Sequence, residues 1–126
     1  MNEVCTEFHG FRKRNGDMVP FRRDKIESAV LRAGDAVARD EGGDTLDRTV
    51  AVAVTDLVLD HLNNPHSEYY VRGDEEGLRI PEIEDVQDLV EIVLAEQGHA
   101  AVLAAYKRYR EKRDVARRQL KVRHDG

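Results

Sequence analysis

Residues 11–26 read FRKRNGDMVPFRRDKI, and this stretch decides how the rest of the chain folds. Asn15-Gly16 is a turn pair, because a two-residue hairpin loop needs the positive φ angles that Asn and Gly adopt most readily. Phe11 to Arg14 is therefore expected to fold back against Met18 to Phe21, which crowds basic side chains onto one short ribbon. Asp24 follows as a candidate helix cap, with Glu27 three residues on. The free amides of that first helical turn attract anions beside Arg22, Arg23 and Lys25. A basic hairpin running straight into a helix start points to a nucleotide.

Working outward, Ile26, Val30, Ala33 and Val37 recur at helical spacing and predict a first helix over about 24–40. Glu41-Gly42-Gly43-Asp44 breaks that pattern. Thr45 opens a second helix with Val50, Val54, Leu57, Val58 and Leu62 inward, stopped by Asn63-Asn64-Pro65. Residues 66–79 read as a surface loop and a tolerated insertion, with a short hairpin around Tyr69 to Val71. Leu78 to Ile83 is a candidate third strand, although Pro81 cannot donate to a ladder and confines it to an edge or a strand end. Val86, Leu89, Val90, Val93 and Leu94 stripe a third helix over about 84–97, with Gly98 as its stop. A fourth begins near His99 and buries Val102, Ala105, Tyr106 and Tyr109. After Arg113 its stripe thins to Ala116 and Leu120 among lysines and arginines. The expected fold class is α+β, a four-helix bundle capped by a small three-stranded β-sheet. The expected organisation is an N-terminal tail over 1–10, a nucleotide-binding domain over 11–113 and a basic helical extension or linker over 114–126.

Composition narrows the function. A chain of 126 residues with 40% hydrophobic content forms one domain around one modest core. The net charge of −5 argues against a general nucleic-acid binder, although Lys107 to Arg123 is strongly basic and Asp74 to Glu96 acidic. No apolar run approaches the roughly 20 residues that span a bilayer, and the polar N-terminus lacks a signal-peptide core, so a cytoplasmic location is expected. A single cysteine, Cys5, excludes an internal disulfide and a zinc cluster and reads as an ordinary thiol. His9, His61, His66, His99 and His124 have no paired spacing that suits a metal and read as surface or capping residues. Glu82, Glu84, Asp85 and Asp88 form the acid-rich helix start that the helix dipole favours, and neither they nor other residues suggest catalysis. Tyr106 and Tyr109 read as core residues with hydroxyls at the rim.

These segments together carry a resemblance. Lys13-Arg14-Asn15-Gly16, Val19-Pro20-Phe21 and Asp24-Lys25-Ile26, with Ile83 to Glu91 and Tyr106-Lys107-Arg108-Tyr109-Arg110 later, are similar to the ATP-cone domain. ATP-cones are regulatory nucleotide-binding domains at the N-terminus of many ribonucleotide reductases and inside the repressor of their genes. Val19-Pro20-Phe21 and Tyr109-Arg110 followed by Arg113-Asp114 most resemble the domain of anaerobic reductases. Without the repressor's zinc-ribbon cysteines, or the length for a reductase barrel, the chain is expected to be the sensor alone.

The resemblance implies the site residue by residue. Lys13 and Arg14 match a pair that contacts phosphates and base edge, Lys25 a phosphate-binding lysine, Ile26 an apolar contact to the base and Phe11 the strand residue flanking the nucleotide. Ile83 and Val86 match residues that close the pocket, and Lys112 a basic residue on the last helix. Two positions depart from the pattern. Val19 stands where a glutamate is common, and Arg22 where Asn or Asp often precedes the helix, so polar recognition of base or sugar differs here. Strand geometry adds a constraint, because successive residues face opposite sides and Lys13 and Arg14 cannot both point straight at one ligand. The implied ligand is ATP or dATP with Mg2+. The implied partner is a reductase catalytic domain or a second copy of the chain, with no nucleic acid and no membrane. The alternative is a nucleotide-responsive DNA-binding regulator using Lys107 to Arg123, which the absent zinc ribbon disfavours.

Overall fold

The computed structural model describes residues 8–43 and 45–125, with side chains to residue 116. Cys5 lies outside the described residues, as do the side chains of Leu120 and His124. Two short strands, β1 (Phe11–Arg12) and β2 (Met18–Val19), precede four helices: α1 (Arg23–Glu41), α2 (Arg48–Asn63), α3 (Ile83–Glu96) and α4 (Ala100–Asp125). Each helix packs on the next and α4 returns to α1, closing a four-helix ring. The α+β class and the bundle are as expected from the periodicity.

The helices form because their apolar residues fall on one face. Val30, Val54, Val58, Leu62, Leu89, Val90, Val93 and Leu94 are all fully or almost fully buried in one core. Each buried aliphatic side chain contributes about 1.5–3 kcal/mol. Asp47 caps α2, accepting from the Thr49 backbone N–H at 2.9 Å and from its hydroxyl at 2.9 Å, so α2 starts three residues later than Thr45 suggested. Gly98 takes φ 80 just after α3, in the left-handed region that ends a helix most readily at glycine.

The sheet differs from expectation. It has two strands, paired Phe11 to Val19 and Arg12 to Met18, and residues 78–83 add only an isolated parallel bridge between Arg12 and Glu82. The Arg12 N–H donates to Pro81 O at 2.9 Å, but Pro81 has no N–H to return and the ladder stops there. The turn is also longer by one residue. Lys13 N–H donates to Asp17 O at 2.8 Å and Gly16 N–H to Lys13 O at 2.9 Å, leaving Arg14-Asn15-Gly16 as a three-residue loop with Gly16 at φ 93. Arg14 therefore sits on the turn, free of the strand alternation that would have set it opposite Lys13.

Residues before and after the hairpin hold it down. Phe21 stacks against Phe8 and Phe11 with ring centroids 5.3 and 5.0 Å apart, and Phe8, at the end of the segment read as a tail, is buried. The loop over 64–82 forms no hairpin and is more than an insertion. Arg79 lies 4.7 Å over the Phe8 ring and donates to Leu62 O at 3.2 Å and Val71 O at 3.0 Å, satisfying a carbonyl at the C-terminal end of α2.

Close packing at one glycine yields a test. A Cβ on Gly34 of α1 would stand 2.5 Å from the Leu46 Cβ. Gly to Ala inside a helix ordinarily stabilises by about 0.5–1 kcal/mol, but overpacking costs about 1–3 kcal/mol. Gly34→Ala is therefore expected to lower the melting temperature by several degrees in circular dichroism; a rise would show that the α1–α2 corner yields at no cost.

Candidate functional site

Cations are dense along β1, its turn and the start of α1, and most are already neutralised. Arg12 pairs with Glu82 at 3.3 Å, Arg22 with Asp24 at 2.8 Å, and Arg23 with Glu27 at 2.9 Å and Asp56 at 2.7 Å. The Asp24–Glu27 capping box is not formed. The N-cap is Arg22, which gives no side-chain cap, while Asp24 and Glu27 turn to the guanidinium groups of Arg22 and Arg23. The Arg22 contact holds the Asp24 carboxyl below the usual carboxylate range. The first turn of α1 is thus left without a side-chain acceptor on its N-cap.

Among the described residues, Lys13 on the hairpin, Lys25 in that first turn and Lys112 on α4 make no ion pair, and all three are exposed. Arg14 is committed. From the turn it reaches Glu84 at 3.0 Å on α3 and Asp114 at 3.3 Å on α4. Glu84 in turn pairs with Arg110 of α4 at 3.3 Å, and Arg110 also holds Asp88 and Glu91, each at 2.8 Å. Hairpin, α3 and α4 are joined by this chain of charges. Sequence reasoning treated Glu84 and Asp88 as solvated acids, yet both are partnered; the signal was Glu84, Asp88 and Glu91 at helical spacing opposite the arginine of Tyr109-Arg110. The hydrogen bond from Arg14 holds the Glu84 carboxyl below the usual range against a counteracting burial effect, and Arg110 reinforces it.

The apolar candidates divide. Phe11, Ile26 and Val86 are buried in the common core, while Ile83 at the head of α3 keeps part of its surface open. Elsewhere, an open depression of about 360 Å³ lies among Tyr69, Asp88, Glu91, Ile92, Ala95, Leu103 and Lys107. Its charged lining is Lys107 with Asp88 and Glu91, both carboxylates being held by Arg110. Among the described residues no group of three or more His, Cys, Asp or Glu could hold a metal ion, and no helix is long and apolar enough to cross a membrane.

Exposed lysines without an ion pair thus stand on the hairpin and on the first turn of α1, ahead of a four-helix bundle. Residues 11–115 match the ATP cone domain family, and the chain belongs to that family. ATP-cone domains bind nucleotide effectors and are regulatory. The chain is also 36% identical over 102 residues to the vitamin B12-dependent ribonucleoside-diphosphate reductases of two Mycobacterium tuberculosis strains, CDC 1551 / Oshkosh and ATCC 25618 / H37Rv. The match covers 81% of this chain but only 12% of the length of either reductase. Their names carry vitamin B12 dependence, not the anaerobic class that Val19-Pro20-Phe21 resembled.

The Glu84 junction predicts a pH dependence. Its carboxyl titrates lower in the folded protein than in the unfolded chain, so its stabilisation is present above the unfolded value of about 4.3 and is lost as pH falls through the folded value. Glu84→Gln is expected to melt a few degrees below the wild type at pH 7, with the gap closing as pH falls below the carboxylate range. An equal gap at pH 7 and in strong acid would show that packing, not charge, makes the junction.

Proposed function

We propose that this chain is an allosteric sensor of the adenine nucleotide pool, taking ATP or dATP at the junction of the hairpin and α1 on behalf of a ribonucleotide reductase. The observation that carries the reading is that Lys13 on the hairpin and Lys25 in the first turn of α1, whose N-cap gives no side-chain cap, are exposed and without an ion pair, while Arg12, Arg14, Arg22 and Arg23 hold carboxylates. A triphosphate supplies the missing negative charge. Helix amides and lysine ammonium groups both favour it, and Mg2+ would arrive already bound to the phosphates. Arg14 and Arg22 can add contacts by exchanging a carboxylate for a phosphate, Lys112 approaches from α4, and Ile83 offers the base an apolar edge above Phe11, Ile26 and Val86. Three or four charge-assisted hydrogen bonds at about 1.5–3 kcal/mol each, with some burial of the base, suffice for micromolar affinity, roughly 8 kcal/mol.

Transmission follows from the same contacts. A phosphate drawing on Arg14 competes with Glu84 and Asp114, and so alters the tie between hairpin and α4. The 26-residue α4 continues to Asp125, and its last turns are the part of the domain placed to carry a change to a catalytic domain or a second copy.

Calorimetry tests the site. Lys13→Ala and Lys25→Ala should each weaken ATP binding at least tenfold, about 1.4 kcal/mol, with circular dichroism and ligand-free melting nearly unchanged. Unaltered affinity in both variants would remove the hairpin from the site. ATP and dATP differ by one hydroxyl, and a neutral hydrogen bond contributes about 0.5–1.5 kcal/mol, so their affinities should differ less than tenfold while size-exclusion profiles differ between the two complexes. A hundredfold affinity gap with identical profiles would contradict a sensor that works by conformation.

A further inference from the structure

Two arginines away from the hairpin share one phenol oxygen. Arg32 on α1 donates from Nη1 to the Tyr109 hydroxyl at 3.2 Å, and Arg113 on α4 donates from Nη1 to the same oxygen at 3.1 Å, its guanidinium 5.7 Å from the ring centroid. Arg12, Arg14, Arg22, Arg23 and Arg110 each meet a carboxylate. Arg32 and Arg113 meet none among the described residues, and Asp114, next to Arg113 in sequence, turns to Arg14. Two like charges are therefore held on one neutral oxygen.

We propose that Arg32, Tyr109 and Arg113 form a second anion site on the seam between α1 and α4, for a phosphate-class dianion, separate from the hairpin. The chemistry is convergent. With its lone pairs occupied by two guanidinium N–H groups, the Tyr109 hydroxyl has its own proton left to donate, and each guanidinium keeps further N–H donors beside it. Burial works against ionisation of Tyr109, but the hydrogen bonds from Arg113 and Arg32 outweigh it and lower the phenol pKa, which makes it a stronger donor. A dianion balances two guanidinium charges where a single carboxylate balances one, and planar guanidinium groups match phosphate oxygens in pairs. Lys25 precedes Arg32 by seven residues on the same helix, about 10 Å along its axis, so the seam and the hairpin are distinct positions. The phosphate can belong to a free anion or to a second nucleotide.

Arginine Nε–Hε signals of the 126-residue chain, followed by nuclear magnetic resonance, separate the possibilities. Pyrophosphate is titrated against sodium chloride at matched ionic strength, and ATP is titrated into the Lys13→Ala/Lys25→Ala double variant. The site requires saturable shifts at Arg32 and Arg113 with pyrophosphate, weakened at least fivefold by Arg32→Gln and by Tyr109→Phe, which removes the donor while keeping the ring. Those shifts persist in the lysine double variant, whatever becomes of the hairpin site. Saturation by ATP in that variant identifies a second nucleotide as the source; saturation by pyrophosphate alone identifies a free phosphate. Shifts reproduced by sodium chloride, or retained in Arg32→Gln and abolished by the lysine changes, would overturn the proposal, the latter outcome leaving the hairpin site standing.

Discussion

A ribbon of two residues per strand has no stability of its own in water, so the hairpin end of this domain depends on the burial of Phe11 beneath it. Phe11 stacks on Phe21 from the segment leading into α1, and Phe21 stacks on Phe8 from before β1. Three points of the chain are thus fastened by one aromatic cluster. Arg79 closes the cluster from the far side, bonding the end of α2 while covering the Phe8 ring. The hairpin that carries Lys13 and Arg14 is thereby fastened to the segment that leads into α1.

Charge on this scaffold is mostly settled within the fold. Exposed ion pairs contribute little to stability, but they determine which cations stay open to a ligand. Lys13 and Lys25 are open. Arg14 is divided between Glu84 and Asp114, and Glu84 is shared with Arg110. A ligand that takes Arg14 disturbs three elements at once, since packed helices tied by discrete ion pairs shift between arrangements rather than deform smoothly. These ion pairs tie the hairpin turn to both α3 and α4.

Much of this was legible in the sequence because it is local. Apolar residues at helical spacing gave all four helices, and Gly98 marked the end of α3. Asn15-Gly16 marked a turn but not its length, since one residue more or fewer depends on strand pairing. The third strand failed at Pro81, whose missing N–H was visible, but whose effect depended on how β1 approached. Phe8, Arg79 and the Glu84–Arg110 junction were not legible, because their partners lie far away in the chain and polar spacing does not reveal which acid faces which arginine. For the candidate site, motif spacing brought Lys13, Lys25 and Ile83 forward; it could not show that Arg14 and Arg22 already hold carboxylates, or that Phe11, Ile26 and Val86 lie beneath the surface.

A crystal structure of the chain grown with ATP and Mg2+ tests the central claim most directly. The account predicts triphosphate density between Lys13 and the first turn of α1, Lys25 in contact with it, the base beside Ile83, and Arg14 moved off Asp114. A triphosphate bound elsewhere, with Lys13 and Lys25 still free and Arg14 still paired to Glu84 and Asp114, would contradict it.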